Sequence, residues 1–142
     1  MKSAITATEL QTLLRSAGLP GEVVDDAARG IGAESSVGDI RFAVQALNCQ
    51  GAPRACSTLM FYAHFDLGRP AGPRDFEAVN RFNDGQVFGR AYVRKDRDQV
   101  GVDYVVELDG GVTPDHLARN VDRWRKVVTE FLRKVSASTP TS

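Results

Sequence analysis

Two cysteines, two histidines and a run of carboxylates are the residues of this chain whose types could hold a metal or carry redox or nucleophilic chemistry. Cys49 and Cys56 lie seven positions apart, a spacing open to a disulfide or to a pair of reduced thiols; as metal ligands, two thiols alone would leave a tetrahedral site half empty. His64 and His116 would need convergent carboxylates or thiols to bind a metal, and they read as surface or hydrogen-bonded core histidines. Asp96, Asp98, Asp103, Glu107 and Asp109 cluster, but the first two stand beside Arg94, Lys95 and Arg97, and no calcium-loop spacing with a closing glutamate is present. Gly110-Gly111 ahead of a helix could offer backbone N–H groups to an anion, and equally makes a tight turn. Neither Gly-x-Ser-x-Gly nor Gly-x-x-x-x-Gly-Lys occurs. We therefore expect no catalytic residues, no metal and no cofactor, and a chain that is not an enzyme.

The elements that would position these residues are legible from apolar periodicity. Thr6 and Glu9 are spaced as a capping box, Leu10, Leu13, Leu14 and Ala17 form one helical stripe, and Gly18 with Pro20 supplies the stop. Residues 21–36 read as irregular chain with one or two weak strands. From Gly38 the pattern sharpens: Ile40, Phe42, Val44 and Ala46 alternate with Arg41, Ala43 and Gln45, and Leu59, Phe61, Ala63, Phe65 and Leu67 alternate with Thr58, Met60, Tyr62, His64 and Asp66. These two strands predict an antiparallel hairpin around the Gly51 and Pro53 loop, in which opposite Cα atoms would approach to about 4.5–5.5 Å, within reach of a Cys49–Cys56 bond. A short helix is expected around residues 76–83, and a second hairpin from Val87–Val93 and Val100–Leu108, with Val105 on the face opposite Val102, Tyr104, Val106 and Leu108. Thr113, Pro114 and Asp115 open the last helix, whose stripe runs Leu117, Val121, Trp124, Val128, Phe131 and Val135. Its Arg119, Arg123, Arg125 and Lys126 read as a solvated face, since Asp122 and Glu130 stand at i, i+4 spacing to Lys126.

The pattern is that of one α+β domain over residues 1–135 with a disordered polar tail at 136–142. At 142 residues, 42% hydrophobic and 25% charged, the chain can bury one core, and its eighteen basic residues balance eighteen acidic ones. It therefore has no overall field drawing in nucleic acid or an anionic membrane. No apolar run approaches the roughly 20 residues of a membrane span, and no signal peptide is read at the N-terminus. The compartment stays open: cytoplasmic from the chain as given, periplasmic if a signal peptide has been removed.

Three separated stretches resemble the bacterial YbjN family: Asn48-Cys49 through Cys56-Ser57-Thr58-Leu59-Met60-Phe61; Val79-Asn80-Arg81-Phe82-Asn83 with Phe88-Gly89-Arg90-Ala91-Tyr92; and Leu108-Asp109-Gly110-Gly111-Val112-Thr113 with Trp124 and Phe131. The chain departs from the pattern at Phe82, where members usually carry Trp, at Val87, where they carry a basic residue, and at Arg29-Gly30-Ile31-Gly32, which lacks an Asp-Pro turn. The resemblance implies the order α-β-β-β-α-β-β-α, a fold like that of type III secretion chaperones, and a sensory-transduction regulator or chaperone-like role. It also implies a homodimer that holds an as yet unidentified protein partner. Asn80, Asn83 and Arg90 are the polar residues most tied to it, read either as groups that fix the second helix against the sheet or as a binding surface. The cysteine pair of similar members, which look exported, favours the disulfide. A small-molecule sensor with a pocket between the sheet and the last helix is the alternative, and a hydrolase with an unrecognised site a distant third.

Overall fold

The computed structural model describes residues 1–138. Its elements run β1 (Ile5–Thr6), α1 (Ala7–Ser16), β2 (Val24–Asp26), β3 (Gly30–Val37), β4 (Ile40–Gln50), β5 (Ala55–Asp66), α2 (Pro73–Gly85), β6 (Arg90–Arg94), β7 (Gln99–Glu107) and α3 (Pro114–Ser138), with a 3-10 turn at Lys95–Arg97. The sheet order is β2-β3-β4-β5-β7-β6, with β1 added to β5. The architecture is α+β with an antiparallel sheet and three helices, as expected, but four strands rather than three stand between α1 and α2. No helix among the described residues is long and apolar enough to cross a membrane.

Two compact units share this chain: residues 1–61 with 105–123, and residues 62–104 with 124–138. In the first, α1 begins at Thr6, whose hydroxyl accepts from the Glu9 N–H while Glu9 accepts from the Thr6 N–H, so the capping box closes in both directions. Leu10 and Leu14 are buried by the helical period. β4 buries Phe42, Val44 and Ala46 on one face, and the Phe42 ring lies 6.3 Å from Phe61 of β5. β3 pairs with β4 from Ile31 opposite Ala46 to Val37 opposite Ile40. β2 and this full strand stand where residues 21–36 read in sequence as irregular chain with one or two weak strands. Gly32 makes the close approach possible, since a Cβ there would lie 2.9 Å from the Val44 carbonyl oxygen.

In the second unit, α2 starts at Pro73, where the missing N–H costs nothing, and the Asp75 carboxylate accepts from the Gly72 N–H at 2.8 Å. Phe131 of α3 sits between Phe65 of β5, stacked at 5.7 Å, and Phe82 of α2, edge-on at 5.3 Å. β6 begins at Arg90 rather than Val87; Val87 and Phe88 are exposed, and Gly89 turns the chain with a φ of 87°. A side chain on Gly89 would come within 2.7 Å of Val127. α3 extends to Ser138, into the segment expected to be a disordered tail, and residues 139–142 lie outside the described residues.

Candidate functional site

Two surfaces concentrate polar and apolar groups in arrangements that could bind. The first, in the unit of residues 1–61 and 105–123, is an open groove of about 390 Å³ between α1 and the first turn of α3. Ile5, Leu13, Pro114 and Leu117 supply its apolar wall, and Thr8, Thr12 and Ser16, spaced every four residues along α1, supply a row of hydroxyls. The ion pair of Lys2 and Glu9 stands at its edge. Lys2, with the Thr6 N–H, holds the Glu9 carboxyl below its ordinary range, so both charges of the pair answer each other. The α3 end is fixed by Thr113, whose hydroxyl accepts from the His116 N–H at 3.0 Å, and by Gly110 and Gly111, both at positive φ, which turn the chain out of β7.

The second surface, in the unit of residues 62–104 and 124–138, is a polar web on β5, β6 and β7. Arg94 donates to His64 Nδ1 at 2.8 Å and to Gln99 Oε1 at 2.8 Å, and Gln99 in turn donates to Asp66. A guanidinium has no acceptor, so Nδ1 must be unprotonated and Nε2 carries the hydrogen given to the Tyr92 hydroxyl, 3.1 Å away. Burial pushes His64 below its ordinary 6.5, and the Arg94 charge adds to it. Burial and the Asp103 charge push the Tyr92 phenol up to about 12. At neutral pH the web thus contains a neutral imidazole and a neutral phenol. Arg90 donates to Asp103 at 2.6 Å and lies 5.5 Å from the Tyr92 ring centre.

Gly101, opposite Tyr92 in the β6–β7 register, makes room for both rings. A Cβ there would stand 2.5 Å from the Tyr92 ring and 2.7 Å from the His64 ring. Gly101→Ala is expected to lift the rings off β7, break the His64–Tyr92 hydrogen bond and cost about 1–3 kcal/mol. Urea unfolding, with the His64 ring proton shifts, would show it; unchanged shifts and midpoint would mean that the rings are not packed on this glycine.

Of the residues singled out from sequence, Asn83 and Arg90 come to neighbouring positions and Asn80 does not join them. The Asn83 carboxamide takes both backbone groups of Ala91, accepting from its N–H at 2.8 Å and donating to its carbonyl at 3.0 Å. Its place is therefore that of a bracket from α2 to β6. Asn80 is exposed on α2. Cys49 and Cys56 are joined by a disulfide. His64 is bound in the web; among the described residues no three His, Cys, Asp or Glu side chains converge as metal ligands. The web went unread in the sequence, although its signal was there: Tyr62, His64 and Asp66 share one parity on β5, and Arg90, Tyr92 and Arg94 share one on β6. The groove left no such signal, because its walls come from both ends of the chain.

Residues 6–137 match the family model of YbjN, described as "putative bacterial sensory transduction regulator". No curated protein matches the chain in sequence. Among solved structures, YbjN from E. coli is 13% identical with a TM-score of 0.68, over 92% of this chain and 91% of that one. A chain of the HopA1–SchA chaperone–effector complex is 9% identical with a TM-score of 0.56, over 91% of each. At these identities the likeness is one of fold.

Proposed function

Since the chain belongs to the YbjN family, we propose that it is a non-enzymatic regulatory domain that binds a partner polypeptide, in the manner of a small chaperone, and that it does so as a homodimer. The observation that carries this reading is the groove of α1 and α3, open on one side, where half-buried Leu13 and exposed Pro114 stand over the buried Ile5 and Leu117. A chaperone needs an open apolar groove, whereas a sensor of small molecules needs an enclosed pocket with a few inward polar groups. The likeness of fold to a chain of a chaperone–effector complex supports the same reading. So does Val105, 55% exposed on β7 while Val102, Tyr104, Val106 and Leu108 are buried, an apolar side chain left for a second copy to cover.

Affinity capture from the source cells, run in parallel on the wild type and on Leu13→Glu, tests the binding role. A protein retained by the wild type and lost with the charged groove supports it; a co-purifying metabolite retained by both points to the sensor instead. For assembly, light scattering at micromolar concentration should give twice the 15.4 kDa chain mass. A value at 15.4 kDa would remove the dimer and leave the groove reading standing.

A further inference from the structure

The polar web on β5, β6 and β7 turns on one nitrogen. The same Arg94 Nη1 donates to His64 Nδ1 and to Gln99 Oε1, at 2.8 Å each, so these two acceptors flank it. Gln99 is held in that orientation by its Nε2, which donates to Asp66 at 2.8 Å. The far end of the imidazole is fixed by the Tyr92 hydroxyl, which takes the Nε2 hydrogen at 3.1 Å. The charges that face His64 are Arg94 on β6, Arg97 in the turn that follows and Asp103 on β7, the last already engaged by Arg90. From its own strand His64 meets the Tyr62 ring at 5.3 Å, and Asp66 through Gln99. This arrangement accepts the imidazole only in its neutral form, because a guanidinium and a protonated Nδ1 are both donors and both cations.

We propose that His64, Arg94 and Gln99 form a proton-operated switch: while His64 is neutral, Arg94 is held between it and Gln99; when His64 takes a proton on Nδ1, Arg94 is expelled to solvent and His64 takes its place on the Gln99 carbonyl. The balance is one proton. Nε2 keeps its hydrogen on Tyr92, Arg94 keeps its charge, and the imidazole gains one positive charge. Repulsion drives the exit, since water screens two touching cations poorly at a half-buried site. The vacated Gln99 oxygen offers the new N–H an acceptor, so neither state strands a half-buried donor. The β6–β7 turn stays in place during the exchange, because the Asp98 carbonyl accepts from the Leu67 N–H at 2.9 Å and its carboxylate from the Ala71 N–H at 3.0 Å. Only a side chain moves, and the face then presents a released guanidinium beside a new imidazolium. Burial and the Arg94 charge hold His64 below 6.5, so the neutral arrangement prevails at pH 7 and gives way as the pH falls below that value. The switch is independent of the groove and of any partner.

Nitrogen-15 spectra of the imidazole and arginine side chains, followed on the full chain from about pH 8 down to about pH 4, read the switch directly. His116→Gln leaves the His64 signals alone in the spectrum. At the alkaline end His64 should be the Nε2–H tautomer, and the Arg94 Nη hydrogens should exchange about tenfold slower than those of an exposed arginine. That slowing should vanish with the same midpoint as the His64 titration. Arg94→Met should raise the midpoint by about half a unit to one unit, since it removes the opposing cation. In the Arg94→Met background, Gln99→Leu should lower it again, since only the charged form then loses a partner. An Nδ1–H tautomer at the alkaline end would overturn the proposal. So would Arg94 hydrogens that do not follow the His64 midpoint, or a double variant that titrates no lower than Arg94→Met.

Discussion

Replacing Trp124 with alanine is expected to destabilise the protein by about 3–5 kcal/mol, a large share of the roughly 5–15 kcal/mol that holds a domain of this size together. Trp124 is 0% exposed, the largest of the fully buried side chains, and it opens the stretch of α3 that buries Val127, Val128, Phe131 and Val135. Removing the indole takes away its transfer free energy and leaves a cavity that a helix anchored by Phe131 between two other rings cannot easily collapse to fill. Trp124→Phe, which leaves a smaller void, should cost less than half as much. Urea unfolding at neutral pH measures both, and an alanine variant with an unshifted midpoint would show that this face of α3 is not packed.

Loss of Asp75 should be the second large effect. Its carboxylate is 0% exposed, receives two hydrogen bonds from Arg69 at 2.8 and 2.9 Å, and accepts the Gly72 N–H at the start of α2. Asp75→Ala removes the fork, the cap and the favourable charge at the helix start, and leaves Arg69 to recover hydration, so we expect a cost of about 2–3 kcal/mol. The Arg69 hydrogen bonds, against the opposing cost of burial, hold the carboxyl below its ordinary value of 3.8. A folded pKa below the unfolded one means a stabilisation that is complete above the unfolded value and lost as pH falls through the folded one. The gap between wild type and Asp75→Ala should therefore be full at pH 7 and shrink in acid below about pH 3.8. Unfolding midpoints taken at pH 7 and in acid test this; a gap that stays constant would mean that the charge of Asp75 is not what stabilises α2.

The sequence carried local physics well and long-range register poorly. The box of Thr6 and Glu9, the stripe from Leu117 to Val135 and the alternation of β4 and β5 are each complete within one element, so the period alone announces them. β3 is different. Its inward residues Ile31, Ala33 and Ser35 are mostly small, and Ser35 is buried with its hydroxyl given to the Pro20 carbonyl at 2.6 Å. A strand chosen for close approach to its neighbour has almost no hydrophobic contrast to read. β6 erred in the other direction: Val87 and Phe88 look like strand residues, but the positive φ of Gly89 delays pairing until Arg90. At the candidate sites, residue type and parity were visible, while the pairing of Tyr92 with Gly101 and the meeting of α1 with Pro114 depend on contacts between distant segments.

Asn83 has a further consequence for how this protein can grow larger. β6 ends the strand order, and a bare terminal strand can recruit the next molecule, which presents a bare strand in turn, so that copies accumulate into a filament with no natural stopping point. At Ala91 both backbone groups are already spoken for by an amide belonging to the same chain. A newcomer would have to evict that amide to pair at Ala91. On this side, then, the rung at Ala91 is closed to a backbone ladder by the chain itself.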